Sequence, residues 1–136
     1  INPEARVESL FEQGELIEYE EVYPGRFYGT LRREIEQASR DHPVLLDLDV
    51  KGALRVKERF GDEAFAIFVQ PPSLEALAER LRNRGTEDDT TLRQRLERAR
   101  MELAMADRFD AVVVNDDLER AAAETLRLVR SFLERP

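Results

Sequence analysis

Val44-Leu45-Leu46-Asp47-Leu48-Asp49 is an almost unbroken apolar run that closes on acids. A strand with one wet face alternates apolar and polar residues, whereas a strand of a parallel sheet, covered on both faces, reads as a continuous run. Residues 64–69 and Ala111-Val112-Val113-Val114 have the same character. Helical patterns separate and follow them. Residues 52–60 predict a short helix. Pro71-Pro72 breaks the chain, and Ser73 predicts the N-cap of a helix whose Leu74, Leu77, Ala78 and Leu81 form one stripe. Thr90 or Thr91 then caps a long helix burying Leu92, Leu96, Ala99 and Leu103, and residues 118–133 form a closing amphipathic helix. Alternating strands and helices predict an α/β fold, a parallel sheet with helices on both faces and ligands at the carboxyl ends of the strands. Asp47, Asp49, Gln70 and Asn115 stand at those ends.

Upstream the pattern differs. Asn2-Pro3 reads as an N-cap with proline at the first helical position, and Val7, Leu10 and Phe11 keep helical spacing to about Gln13, before Gly14. Within residues 15–30, two β-like pieces (16–19 and 26–28) flank Pro24-Gly25, which predicts a small antiparallel hairpin. Leu31, Ile35 and Ala38 extend a helical pattern over residues 31–40.

The 136 residues suit one domain, and a hydrophobic content of 42% is that of a folded globular chain. There is no cysteine and His42 is the one histidine, which excludes a disulfide framework and argues against a zinc site or a Ser-His-Asp triad. Chemistry has to run on carboxylates, arginines and hydroxyls. No apolar run reaches the ~18 residues of a membrane span, and the first residues lack a signal-peptide pattern, so the expected location is cytoplasmic, away from membranes.

The net charge is −8, yet seven of the 19 arginines crowd into residues 80–100 against four acids. That local excess of +3 sits in a chain whose other residues carry 14 bases and 25 acids. An island of this kind reads as a local anion site or as a solvated helix face laced with ion pairs; nucleic acid would need a broader positive footprint.

Six segments, in order, carry a family resemblance: Glu18-Tyr19-Glu20-Glu21-Val22, Phe27-Tyr28-Gly29-Thr30, Leu46-Asp47-Leu48-Asp49-Val50-Lys51-Gly52-Ala53, Pro71-Pro72-Ser73, Arg80-Leu81-Arg82-Asn83-Arg84-Gly85-Thr86 and Val113-Val114-Asn115-Asp116-Asp117-Leu118. Together they resemble the signatures of guanylate kinase across nearly the whole chain. The resemblance implies a P-loop kinase-like parallel sheet flanked by helices, with a GMP-binding β subdomain at residues 15–30 and a helical lid at residues 82–95. It also implies phosphoryl transfer from ATP to GMP with Mg²⁺.

By the same resemblance Glu18 accepts the N1–H and 2-amino donors of guanine, Thr30 meets the guanine O6, Tyr28 contacts the GMP phosphate and Asp49 contacts the guanine amino group. The turn Tyr23-Pro24-Gly25-Arg26 is one residue longer than is common in the family, so the phosphate contact is carried over at Tyr28 and not at Arg26 or Phe27. Asp47 matches the acid that orients Mg²⁺ through bound water. Arg80, Arg84 and Arg95 match the arginines that clamp the transferring phosphates, and Asn115 matches an adenine-side contact of ATP. Without the resemblance, Glu18, Thr30 and Tyr28 read as a surface hairpin, Asp47 and Asp49 as helix-capping acids, and Asn115 as a turn residue. Lys51 replaces a common glutamine and takes no role.

No Gly-x-x-x-x-Gly-Lys phosphate loop occurs in the sequence. The resemblance therefore implies the C-terminal part of a guanylate kinase, inactive by itself and with apolar edges that favour self-association. A guanylate-kinase-like module that binds phosphopeptides or other proteins is the alternative. The lid arginines favour the enzyme.

Overall fold

The computed structural model describes residues 3–39, 41–85 and 88–135. They fall into two compact units, residues 1–64 and 65–136. In the first, α1 (Pro3–Glu12) leads into an antiparallel hairpin of β1 (Leu16–Tyr23) and β2 (Arg26–Leu31). Gly25 turns the hairpin with φ +77°, a conformation glycine adopts without steric cost. Leu16 and Ile17 are buried, and the Phe11 and Tyr19 rings meet edge to face at 5.1 Å, which ties α1 to the hairpin. The N-cap expected at Asn2 lies outside the described residues.

One helical turn, α2 (Arg32–Ile35), follows, where the sequence predicts a helix over residues 31–40. The shortening has a local cause. Ser39 accepts the His42 amide with both its hydroxyl and its carbonyl at 3.1 Å, a side-chain turn that competes with helix continuation.

Residues 44–49 are likewise no strand. They carry no regular secondary structure and pair with no strand among the described residues, with Leu45 92% exposed and Val44 40%. The apolar run expresses a demand for burial, but a strand also needs neighbouring backbone to satisfy its N–H and C=O groups. No described segment supplies that edge. The run ends at Asp49, whose carboxylate caps α3 (Val50–Phe60) by accepting the Gly52 amide at 3.3 Å. Val50, Gly52 and Val56 form the buried face of α3, and its Arg55 guanidinium donates to the Tyr19 carbonyl of β1.

The second unit has the expected α/β order: β3 (Ile67–Gln70), α4 (Leu74–Asn83), α5 (Asp89–Leu103), β4 (Ala111–Val114) and α6 (Leu118–Leu133). β3 and β4 pair in parallel from Ile67 opposite Ala111 to Gln70 opposite Val114. β3 starts three residues later than the sequence pattern predicts, since the Ala66 amide donates instead to the Asp110 carboxylate at 2.7 Å. Val113 is fully buried, Phe68 is 7% exposed, and Phe68 meets Phe109 edge to face at 5.2 Å. Ser73 caps α4 by accepting the Ala76 amide at 3.0 Å, as its place before the apolar stripe predicts. The cap of α5 is Asp88, two residues ahead of the threonines that the pattern offers; its carboxylate accepts the Thr91 amide at 2.7 Å. Among the described residues, no helix is long and apolar enough to cross a membrane.

Candidate functional site

The hairpin register sets Glu18 opposite Thr30 and Glu20 opposite Tyr28. The side chains of Glu18, Glu20, Tyr28 and Thr30, on which the expected guanine and phosphate contacts rest, lie outside the described ones. Asp49 lies in the same unit at the amino end of α3, half-buried and engaged as its cap. Asp47 stands two residues earlier on the irregular segment and is exposed.

The second unit holds the arginines. α4 and α5 pack against one another as a helical hairpin. Gly85 adopts φ +70° at the end of α4, and Thr86 and Glu87, at the tip of the expected lid, lie outside the described residues. Arg84 closes α4 as an exposed C-cap residue, and Arg95 is half-buried one and a half turns into α5. Arg80 reaches away from the tip: its Nη2 donates to the Asn115 carbonyl at 3.0 Å. Asn115 itself continues the β3–β4 ladder by donating its amide to the Gln70 carbonyl at 2.8 Å.

Sequence reasoning missed Arg120. Its Nη2 donates to the Val114 carbonyl at 2.7 Å and to the Asp116 carboxylate, and its Nη1 donates to Glu124 at 3.1 Å. Hydrogen bonding to Arg120 holds the Asp116 carboxyl below its ordinary pKa, and the same bond raises that of the guanidinium. The signal was present as acids four residues to either side of Arg120. Asp88 is also held below the usual carboxylate range, first by the backbone amide of Thr91 and then by its hydroxyl.

No cluster of three or more metal-ligating side chains exists among the described residues. One exposed carboxylate, Asp47, with Asp49 two residues on, suits Mg²⁺, which keeps its waters and takes ligands from substrate phosphates; it does not suit an all-protein cage.

The chain thus carries an α/β unit with a parallel strand pair and an arginine-bearing helical hairpin, and a separate unit with an antiparallel hairpin, a combination that defines a class of protein. The guanylate kinase family model matches residues 3–133, and the chain belongs to the guanylate kinase family. Among curated relatives, a guanylate kinase of Salinibacter ruber is 60% identical over 120 residues, covering 88% of this chain and 64% of the relative. A guanylate kinase of Bacteroides thetaiotaomicron is 46% identical over 125 residues, covering 91% of this chain and 61% of the relative. The crystal structure of guanylate kinase from Anaplasma phagocytophilum superposes with a TM-score of 0.80 at 29% identity, over 99% of this chain and 64% of that one. The chain thus spans under two thirds of the length of these relatives.

Proposed function

We propose that these residues form the GMP-binding hairpin (15–30) and arginine lid (82–95) of an enzyme that transfers the γ-phosphoryl group of ATP to GMP, giving ADP and GDP. The observation that carries the reading is the facing pair of Glu18 and Thr30 in the β1–β2 register, within a chain of this family. The guanine N1–H and 2-amino group are adjacent donors, so one carboxylate accepts both, while the O6 acceptor calls for a hydroxyl donor. Adenine offers no such edge and leaves Glu18 unsatisfied.

In the reaction an oxygen of the GMP phosphate forms a bond to the γ-phosphorus while the bond from that phosphorus to the β–γ bridging oxygen breaks. Tyr28 holds the GMP phosphate and Asp49 adds a contact to the guanine amino group. Charge spreads over the equatorial oxygens as the phosphoryl group moves, and the forks of Arg80, Arg84 and Arg95 neutralise it when the lid closes. Arg80 must then leave the Asn115 carbonyl that it holds in this structure or engage phosphate with its remaining donors. Asp47 would hold Mg²⁺ through bound water. Mg²⁺ held there would supply positive charge against the phosphates of ATP. Asn115 serves the adenine side of ATP.

Glu18→Gln in the whole protein tests the reading. It replaces one acceptor with a donor facing guanine's donors and should weaken GMP binding by about 2 to 3 kcal/mol while leaving ATP affinity unchanged. Unaltered GMP affinity in steady-state kinetics would remove Glu18 from the base site.

A further inference from the structure

The turn between β4 and α6 is held from three directions. The Asn115 amide is fixed by the Gln70 carbonyl at 2.8 Å, and the Asn115 carbonyl by Arg80 of α4 at 3.0 Å. The preceding Val114 carbonyl is fixed by Arg120 of α6 at 2.7 Å. The peptide groups on both sides of Asn115 are therefore pinned, and with them the direction of its Cα–Cβ bond. Arg120 does more than reach one carbonyl. Its fork also engages Asp116, whose carboxylate accepts the Asp117 amide at 2.8 Å, so residues 114–117 form one connected network. Capping of α6 does not need the guanidinium: the Asp117 carboxylate accepts the Arg120 backbone amide at 3.0 Å.

We propose that Arg120 is a positioning residue for adenine-nucleotide binding, fixing the backbone from which Asn115 presents its carboxamide. The proposal rests on the ATP-side role given to Asn115 above. A carboxamide carries a donor and an acceptor side by side and matches the paired donor and acceptor edges of adenine, but only from one direction. A turn residue free to rotate would spend binding energy on ordering, and a pinned one does not. Arginine is suited because its planar fork serves the Val114 carbonyl, Asp116 and Glu124 at once, which an ammonium on a flexible stem does not. The side chain is 48% exposed, and exposed ion pairs of this kind contribute little to stability, so its replacement leaves the fold intact.

Steady-state kinetics of the whole protein with Arg120→Ala, Asn115→Ala and the double variant test the proposal. Arg120→Ala should raise KM for ATP about tenfold, with kcat and KM for GMP within about twofold, since only pre-ordering on the ATP side is lost. Arg120→Lys should recover part of the loss. Because Arg120 acts through Asn115, the double variant should be no worse than Asn115→Ala. Unchanged KM for ATP in Arg120→Ala, or losses that multiply in the double variant, would overturn the proposal. Backbone ¹⁵N relaxation gives a readout independent of turnover: Arg120→Ala should lower the order of residues 114–117 and leave β3 unchanged, and an unchanged turn overturns the positioning role. Failure of the unsubstituted protein to phosphorylate GMP would instead overturn the functional reading and the adenine role with it.

Discussion

Ser73 and Asp88 perform one task, accepting a first-turn amide, with different chemistry. The hydroxyl of Ser73 is indifferent to pH, and Ser73→Ala should cost about 1 kcal/mol in denaturant unfolding at any pH. The carboxylates of Asp88 and Asp116 have folded-state pKa values below those of the unfolded chain. Their contribution is therefore present above about pH 4, the unfolded value, and disappears as pH falls through the folded value. The melting temperature should drop as pH falls below about 4, and Asp88→Asn, which keeps an acceptor without a titration, should flatten part of that slope. The arginines of the proposed lid obey a different logic. Arg84→Ala or Arg95→Ala in the whole protein should lower kcat by roughly 10² to 10³ with a smaller change in KM for GMP, because a clamp on developing charge acts mainly in the transition state. Steady-state kinetics showing raised KM with unaltered kcat would reduce both to ground-state binders.

Elements differ in how far the sequence announces them. The stripe Leu74, Leu77, Ala78, Leu81 and the long pattern to Leu133 were legible because helix burial repeats within one segment, and α4 and α6 match them. β4 was legible because Ala111–Val114 has β3 to pair with. Residues 44–49 carry an equally strong signal and form no ladder, since apolar content cannot reveal whether an edge is available. Likewise the acceptors among residues 88–91 all fit a cap, and only geometry chose Asp88. Near the site, Pro24-Gly25 between two β-like pieces announced the hairpin, whereas the grip of Arg80 and Arg120 on successive carbonyls of the Asn115 turn depends on helix packing. Packing also sets the largest expected element-level cost. Val113→Ala, at a fully buried position of β4, should destabilise by about 2 to 3 kcal/mol in chemical unfolding through lost burial and an unfilled cavity.

At the scale of the whole chain, the apolar surface at Leu45, Val69, Leu118 and Leu126 remains exposed, and no segment of the sequence offers a phosphate loop. Residues 1–136 prepared alone should therefore show no GMP kinase turnover in a coupled ADP-release assay. Phosphoryl transfer needs a backbone cradle and a lysine around the β and γ phosphates. Measurable turnover would reveal a phosphate site of another kind.

The β1–β2 hairpin has an optical consequence. The chain has no tryptophan, and its three tyrosines, Tyr19, Tyr23 and Tyr28, all lie on those two strands. Tyrosine emission of this chain thus originates in the hairpin alone, the element to which the proposed guanine contacts are assigned. Far-ultraviolet circular dichroism is weighted the opposite way, toward the helices that carry the arginines. A nucleotide that quenches tyrosine emission and one that alters only the helical spectrum can therefore be told apart without a label.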